Sequence, residues 1–344
     1  YNDKAGERYY YGNEGRAYLG AHEIDGKPYY FDYNGQLCKN ISFSAKDGTI
    51  YYCDADGVAT NLNNGWNQID GAYIYVKDGK FLKNCVEQIG PVYYGFDKDG
   101  KMYIDTDFFT WTMEGYEEGN TYYRAKADGS LYVNEWYKNS NGKTYYYGEN
   151  GRLQKNCVIQ VGAKYYGFAK NGQMYADTSF SVWNYKERKY LYYRAKADGS
   201  LYVNKWYYEN GLRYYYGEDG RAYSGVYEIN GKRYGFDENG QMYADTSFSV
   251  WNSEEGKYLY YRANADGSLY VNKWYEDERA RYYYGEEGRA YSGVCEINGK
   301  LYCFYEYGTS CRNTSFTAAD GTIYYCDADG VATNLNNGWN QIDG

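Results

Sequence analysis

The 344-residue sequence is poor in proline, methionine and histidine and has no long hydrophobic run. It contains two Pro, four Met and one His, with a mean hydropathy of −0.88. Without an apolar run of about 20 residues no membrane-spanning helix forms, so we expect no membrane insertion. The single His22 gives Ser-His-Asp or Cys-His chemistry almost no basis.

An excess of positive charge is also lacking. The formal net charge is −9 and the pI is near 4.9. Nucleic-acid binding depends on a basic footprint that neutralises phosphates, so nucleic acid is not an expected partner. The charge balance is typical of an acidic surface protein.

Tyrosine and glycine are abundant instead. The chain has 54 Tyr and 42 Gly, and aromatic residues make up 22% of it. Because aliphatic residues are scarce, tyrosine rings must form much of the core while their hydroxyls stay at a wet edge.

Glycines that follow Asp, Asn, Glu or another turn residue recur at a nearly constant interval. Most are 20 to 22 residues apart, and three gaps in the middle of the chain are 27 to 29 residues long. Such dipeptides supply the positive φ of tight hairpin turns. The turn glycines are Gly15, Gly35, Gly57, Gly79, Gly100, Gly129, Gly151, Gly172, Gly199, Gly220, Gly240, Gly267, Gly288, Gly308 and Gly330.

This period predicts an all-β fold: a β-solenoid or stack of about fifteen tandem β-hairpin repeats of roughly 20 residues. A lone two-stranded hairpin is marginally stable in water. Stacking hairpins buries a tyrosine face of each against the next, so stability accumulates along the array.

A longer period lies above the first. Five Trp residues are 70, 70, 68 and 65 positions apart, and residues 47–71 recur unchanged at 320–344. We therefore expect one continuous array over residues 1–344, part of a longer protein. Its super-repeats run roughly over 1–66, 67–136, 137–206, 207–274 and 275–339, with another starting at 340–344.

Eight cysteines are placed in repeating columns. Cys38 falls in a column of tyrosines and Cys53 in a column aligned with Arg124, and the same double change recurs at Cys311 and Cys326. The paired change predicts Cys38–Cys53 and Cys311–Cys326 disulfides.

Two further cysteines form a third candidate pair. Cys295 and Cys303 flank the Asn298-Gly299 turn, whereas Cys85 and Cys157 have no partner column and are expected to be free. The alternative is eight buried free thiols. There is no CxxC, and we expect neither a metal site nor a cofactor.

The carboxylates give no catalytic set. Most of the 46 Asp and Glu residues lie at turns, such as Asp198, or in exposed runs, so a glycosidase pair in one cleft is not expected. The Asp-Ala-Asp-Gly segments at 54–57 and 327–330 lack the further oxygen ligands of a calcium loop. We predict that the chain is not an enzyme.

The remaining candidates are aromatic. One column has five members, three of them followed by Tyr, and a second column occurs only in the three longer units. Their flat faces suit sugar rings, beside polar groups that hold hydroxyls. The candidate carbohydrate-binding residues are Trp66, Trp136, Tyr137, Trp206, Tyr207, Trp274, Tyr275 and Trp339 in the first column and Trp111, Trp183 and Trp251 in the second.

Core packing is the alternative for both columns. It applies less well to the second column, because a strand insertion found only in some units is not needed to propagate the stack, and exposed loops often carry recognition.

The segment Gly65-Trp66-Asn67-Gln68-Ile69-Asp70-Gly71-Ala72-Tyr73-Ile74-Tyr75, followed by Asp78-Gly79, resembles the cell-wall-binding repeat superfamily. This superfamily includes choline-binding repeats, the glucan-binding repeats of glucosyltransferases and the repetitive oligopeptides of clostridial toxins. Tyr214-Tyr215-Tyr216 with Gly220, Gly225 and Ile229-Asn230-Gly231-Lys232 looks most similar to the glucan-binding form.

The resemblance implies a hairpin stack outside a bacterial cell, secreted or at the cell surface, that binds a polysaccharide or glycan without catalysis. The alternatives are an adhesin that binds a host or bacterial surface protein, and a passive stalk. The oligomeric state is open.

Overall fold

The computed structural model describes residues 7–44, 49–69, 71–114, 117–278 and 280–335. Over these ranges the regular elements are strands in fourteen small antiparallel sheets, eleven with two strands and three with three. The predicted all-β hairpin-repeat fold is confirmed, while the solenoid path stays a prediction. The described residues include no helix long and apolar enough to span a membrane.

The strands are short and follow one another in hairpins. In the first half of the chain they are Gly20–Ile24 (β1), Lys27–Phe31 (β2), Ile41–Ser44 (β3), Ile50–Cys53 (β4), Ala59–Leu62 (β5), Gly65–Ile69 (β6), Ala72–Lys77 (β7), Lys80–Phe81 (β8), Cys85–Ile89 (β9), Val92–Phe96 (β10), Asp107–Glu114 (β11), Glu117–Arg124 (β12), Glu135–Lys138 (β13), Thr144–Tyr147 (β14), Cys157–Val161 (β15) and Lys164–Phe168 (β16).

The second half repeats this arrangement. Its strands are Thr178–Asn184 (β17), Lys189–Ala195 (β18), Lys205–Glu209 (β19), Leu212–Tyr216 (β20), Gly225–Ile229 (β21), Lys232–Phe236 (β22), Ser247–Asn252 (β23), Lys257–Arg262 (β24), Lys273–Glu276 (β25), Arg281–Tyr284 (β26), Gly293–Ile297 (β27), Lys300–Phe304 (β28), Thr314–Thr317 (β29), Ile323–Cys326 (β30) and Ala332–Asn334 (β31).

The chain divides into two compact units. The first comprises the residues up to Cys157 together with Phe168–Met174, and the second comprises Val158–Gly167 and the residues from Tyr175 onward. The division falls within the β15–β16 hairpin, and each unit is built from the same hairpin elements.

Two different turns alternate along the chain. Within a hairpin such as β21–β22, the two-residue turn Asn230-Gly231 has φ of 52° and 75°, as a type I′ turn requires. The turn glycines predicted from the sequence come after the second strand. The turn at Gly240, with φ of 86°, is followed by a single antiparallel β-bridge, between Phe236 and Met242, and not by a further strand.

The segment after each such turn joins one hairpin to the preceding one. Met242 N donates to Arg213 O at 2.8 Å, although the two residues belong to consecutive hairpins. Leu269 N donates to Arg233 O at the same distance one hairpin later. Backbone hydrogen bonds therefore join each hairpin to its nearest neighbour along the array.

In five hairpins the second strand ends in a buried phenylalanine: Phe31, Phe96, Phe168, Phe236 and Phe304. Phe96, Phe236 and Phe304 are at most 2% exposed. In the hairpin before each longer one a glycine makes room for a phenylalanine of the longer hairpin. A Cβ added at Gly95 in β10 would lie 2.2 Å from Cζ of Phe108 in β11.

This close approach predicts a localised stability effect. We expect Gly95→Ala to destabilise the first unit by about 1–3 kcal/mol, because the added methyl overpacks the Phe108 ring. Gly119→Ala is the control, since Gly119 also lies in a strand and nothing stands within 4 Å of the added Cβ. Urea unfolding followed by far-UV circular dichroism checks this, and equal midpoints for the two variants would contradict it.

All eight cysteines are free thiols in the structure, so it gives no support to the predicted disulfides. The register explains the failure of the Cys295–Cys303 pair. Cys295 lies opposite Tyr302 and Cys303 opposite Val294, so the two side chains leave the hairpin on opposite faces. No such register excludes the Cys38–Cys53 and Cys311–Cys326 pairs, and these two disulfides stay predictions.

The register also corrects one cysteine column. Cys53 pairs with Ile41, two residues beyond the Phe43–Tyr51 pair, which places it with the buried Ala125 and not with Arg124. Both Cys53 and Ala125 are fully buried. The position takes a small apolar side chain, a role that a buried thiol fills.

Three cysteines meet in the last described core. Cys303, Cys311 and Cys326 are at most 1% exposed and cluster with Ala332. Burial raises the pKa of the Cys311 thiol to about 11, so it stays protonated at neutral pH.

Candidate functional site

The five-member tryptophan column packs against the hairpin cores. Each described member lies with its ring centroid 6.0–6.1 Å from the phenylalanine of the next hairpin. The pairs are Trp66–Phe96, Trp136–Phe168, Trp206–Phe236 and Trp274–Phe304. Trp339 lies outside the described residues. These contacts favour the packing interpretation for this column, although Trp66 and Trp136 are still 41% and 37% exposed.

The tyrosines that follow these tryptophans are covered on their ring faces. The guanidinium of Arg194 stands 5.0 Å from the ring centroid of Tyr207, and the Tyr202 ring lies 5.0 Å away. Equivalent Arg–Tyr contacts of 4.2 Å occur at Arg124–Tyr137 and Arg262–Tyr275. With these neighbours, little ring face is free for a ligand.

The two tryptophan columns are therefore expected to differ in stability measurements. Trp206→Ala should destabilise the second unit by about 2–4 kcal/mol, because it removes a packed ring from the core. Trp183→Ala should cost less than Trp206→Ala, since Trp206 packs against a core cluster and Trp183 contacts Tyr190 on the outer face. Urea unfolding followed by far-UV circular dichroism measures both, and a larger loss for Trp183→Ala would reverse the assignment.

The second column stands on the outer face of the longer hairpins. Trp111, Trp183 and Trp251 are 63%, 37% and 54% exposed. Trp183 pairs across the strands with Tyr190, with centroids 5.0 Å apart and rings at 70°. Trp251 and Tyr258 repeat this contact at 5.1 Å and 68°. Each pair presents two aromatic rings to solvent.

The turn beyond each pair positions a glutamate. Asn184 Oδ1 accepts hydrogen bonds from the backbone N–H groups of Lys186 and Glu187 at 2.9 and 3.0 Å. Asn252 makes the same contacts with Glu254 and Glu255 at 2.9 and 3.1 Å. Asparagine favours such turns because its amide replaces a backbone acceptor.

The glutamate connects the long hairpin to the next hairpin of the second unit. Arg221 donates to Glu187 Oε1 at 2.8 Å through Nη1 and contacts Asp219 Oδ2 at 2.8 Å through Nε. The cleft beside this network, cleft A, has a volume of about 210 Å³. Its lining includes Glu187, Tyr190, Arg221, Tyr223 and Tyr227.

The same cleft recurs 68 residues later. Cleft B is lined by Glu255, Tyr258, Arg289, Tyr291 and Cys295, among others, and has a volume of about 640 Å³. Arg289 contacts Glu255 at 2.8 Å, as Arg221 contacts Glu187 in cleft A. Ten of the twelve residues that line cleft A have the same type in cleft B.

The first unit has a different surface at the equivalent place. Tyr122 is 39% exposed, but the Lys155 ammonium lies 4.6 Å from its ring centroid and donates to Asn120 O at 3.3 Å. A lysine therefore covers the tyrosine that is open to the cleft in the second unit.

Neighbouring cations hold the cleft glutamates in their ionised form. A hydrogen bond from Lys189 lowers the pKa of Glu187, with smaller contributions from Arg221, and Lys257 does the same for Glu255. Both glutamates are thus carboxylates over the physiological pH range.

The order of these causes can be tested. We expect Lys189→Gln to raise the pKa of Glu187 more than Arg221→Gln does, because Lys189 supplies the larger stabilisation of the carboxylate. Carboxyl ¹³C NMR titration of glutamate-labelled protein gives both values. A larger rise in Arg221→Gln would contradict this order.

Other polar candidates have structural roles. Asp198 Oδ1 accepts from Ser200 Oγ at 2.6 Å and from Ser200 N at 2.9 Å, and these bonds lower the pKa of Asp198 to about 2. Asp54 accepts from Val58 N at 2.8 Å in the predicted hairpin turn. His22 stacks on Tyr18 at 4.0 Å. No group of three His, Cys, Asp or Glu in the described ranges could hold a metal ion.

Sequence reasoning missed the cleft residues. Glu187 and Arg221 are 34 positions apart, so no local motif links them. Their only signal is recurrence, since Glu255, Arg289 and Tyr258 stand 68 residues after Glu187, Arg221 and Tyr190.

Comparison with known proteins finds streptococcal relatives and no matching family model. The chain is 28% identical over 347 aligned positions to glucosyltransferase-I of Streptococcus downei, which covers 98% of this chain and 19% of that protein. It is 27% identical to glucosyltransferase-S of Streptococcus mutans, covering 59% of this chain and 13% of the relative. The chain thus spans less than a fifth of these relatives.

Solved structures give partial overlaps. CbpJ from Streptococcus pneumoniae has 19% identity and a TM-score of 0.44, over 85% of this chain and 99% of that one. Choline binding protein F from the same species has 20% identity and a TM-score of 0.40, over 96% and 100%. The sequence matches to the two glucosyltransferases confirm the resemblance to the glucan-binding and cell-wall-binding repeat superfamily.

Proposed function

We propose that this chain is a non-catalytic module that binds a neutral polysaccharide, a glucan in the first instance, through clefts A and B and their Trp–Tyr pairs. The observation that carries the proposal is the duplication of one site. Glu187, Arg221 and the Trp183–Tyr190 pair return as Glu255, Arg289 and the Trp251–Tyr258 pair with nearly the same distances.

The chemistry of the clefts supports a sugar ligand. A pyranose ring has an apolar C–H face that stacks on an aromatic ring, and its hydroxyls both donate and accept hydrogen bonds. Tyr190 offers the ring, and the Arg221–Glu187 pair offers a rigid donor and acceptor beside it. Because Arg221 is already neutralised by carboxylates, the site favours an uncharged polymer over an anionic one.

Binding without turnover is the expected outcome. Glycoside hydrolysis needs one carboxyl group with a raised pKa to act as general acid. The pKa of Glu187 is lowered, and the Asp219 carboxylate pairs with the same arginine. Glu187 is therefore not suited to deliver a proton at neutral pH.

The presence of two equivalent clefts raises the overall affinity for a polymer. Each cleft is open and offers only a few contacts, so a single site binds weakly. Two sites on one polymer raise the overall affinity through effective concentration. The glucosyltransferase relatives make glucan the first polymer to test, and an extracellular location, secreted or at a bacterial surface, follows from a glucan ligand.

The test is retention on insoluble glucan. We expect the wild-type chain to bind, and the Trp183→Ala/Trp251→Ala double variant to bind about tenfold more weakly or worse, because both stacking pairs lose a ring. Arg221→Gln/Arg289→Gln should have a similar effect. Tyr33→Ala is the control, since Tyr33 is an 88% exposed aromatic residue outside the clefts.

Three outcomes separate the alternatives. Equal retention of all variants would place the site elsewhere. Failure of the wild type to bind glucans, combined with capture of a defined surface protein that the double variant loses, would favour the adhesin. If the correctly folded protein bound neither a glucan nor a surface protein, the passive stalk would be the remaining interpretation.

A further inference from the structure

The two clefts differ in one wall. At the position where cleft A has Tyr227, cleft B has Cys295. The register is the same in both hairpins, because Tyr227 lies opposite Tyr234 and Cys295 opposite Tyr302. The difference therefore comes from the side chain and not from a shift of the strand.

In cleft A the Tyr227 ring covers its neighbour. It stacks on Tyr223 with centroids 3.9 Å apart and rings within 13° of parallel. The equivalent His22 stacks on Tyr18 in the same manner, at 4.0 Å and 16°. An aromatic ring at this position thus occupies the face of the tyrosine four residues before it.

In cleft B that covering ring is missing. Tyr291 keeps its contacts on the core side, with Tyr283 at 5.1 Å and Phe304 at 6.1 Å. A thiol covers far less of a phenol face than a second phenol does, and the Cys295 Sγ points toward Ser292 O at 3.6 Å. Cleft B is also the longer cleft, because its lining extends to Gly285 and Glu286, so its volume of about 640 Å³ is more than the missing ring alone would give.

The remaining lining changes little. Asp219 of cleft A becomes Glu287 in cleft B, and each carboxylate contacts its arginine, at 2.8 and 3.0 Å. The arginine–carboxylate contact is therefore common to both clefts, and at the positions that line both of them the slot is the main difference.

Resting on the proposed function, we infer that cleft B holds a pyranose ring flat on Tyr291, in the space that the Tyr227 ring fills in cleft A. In cleft A the Tyr227 ring lies 3.9 Å from the Tyr223 ring, so the equivalent space in cleft B is deep enough for one ring stacked on Tyr291. The two clefts are then unequal: cleft B binds a glucan residue in depth and is the tighter site, and cleft A contacts the polymer only at its surface. Cys295 is the specificity-determining residue, because its small size opens the slot.

A reciprocal exchange of side chains tests this inference. Isothermal titration of the full chain with isomaltoheptaose and with maltoheptaose gives the affinity and the number of sites. We expect Cys295→Tyr to weaken the tighter site about fivefold to tenfold, because the new ring fills the slot. Tyr227→Cys should create a second tight site. Tyr is accommodated at this position in cleft A, so the exchange uses residues that the fold already carries.

Two controls isolate the cause. Cys295→Ala keeps the slot open and should bind as the wild type does; weakening in this variant would show that the thiol is a ligand group and would overturn the steric account. Alkylation of Cys295 by iodoacetamide, followed by peptide mass spectrometry, should be slowed by the oligosaccharide, while alkylation of Cys85 should not change.

The outcomes distinguish the two proposals. Trp183→Ala/Trp251→Ala could weaken binding while Cys295→Tyr and Tyr227→Cys leave it unchanged. That outcome would contradict the slot at Tyr291 and keep the glucan-binding proposal. No binding of either oligosaccharide or of insoluble glucan by the wild type would remove both.

Discussion

The architecture depends on a backbone hydrogen bond between consecutive hairpins. After each glycine turn the chain returns to the hairpin before it, as when Met242 N donates to Arg213 O. This contact places the phenylalanine at the end of one strand, such as Phe236, under the Trp206 ring of the preceding hairpin. A two-stranded hairpin cannot bury an aromatic ring by itself, so each one depends on its neighbours for its core. The outer aromatic pairs and clefts are available for binding because this inner column already supplies the packing.

Local conformation was predictable from the sequence, and contacts across hairpins were not. A positive φ at Gly240 is a property of the dipeptide, so the turn glycines identified the repeat. Trp206 and Trp183 both recur with the super-repeat, and nothing in the sequence shows that Trp206 packs on Phe236 of the next hairpin. The Cys295–Cys303 pairing failed for a simpler reason: counting outward from the two-residue turn at Asn298-Gly299 already puts the two side chains on opposite faces. The clefts join residues 34 positions apart, and recurrence at 68 was their only sequence signal.

The cysteines show how the cores tolerate substitution. Tyr243 N donates to Gly235 O, and Cys311 N donates to Cys303 O in the same way, so these positions correspond. One core combines a glycine, a tyrosine and the fully buried Ala263, and the other uses three cysteines of intermediate size. Cys311 is smaller than Tyr243, and Cys303 and Cys326 are larger than Gly235 and Ala263, so the total side-chain volume changes less than any single position does. Cores tolerate such exchanges when the total volume and the apolar pattern are kept.

The Glu187–Arg221 contact has a mechanical consequence. It joins the tip of a long hairpin to the next hairpin, at the rim of the cleft where we place the polymer. A pulling force transmitted along a chain of nearest-neighbour units separates them one after another and not all at once. A polymer held across this rim would add its own attachment to the pair, so the force needed to part these two hairpins would rise with occupancy. In such an array, hairpins that hold a polymer would separate at a higher force than hairpins whose clefts are unoccupied.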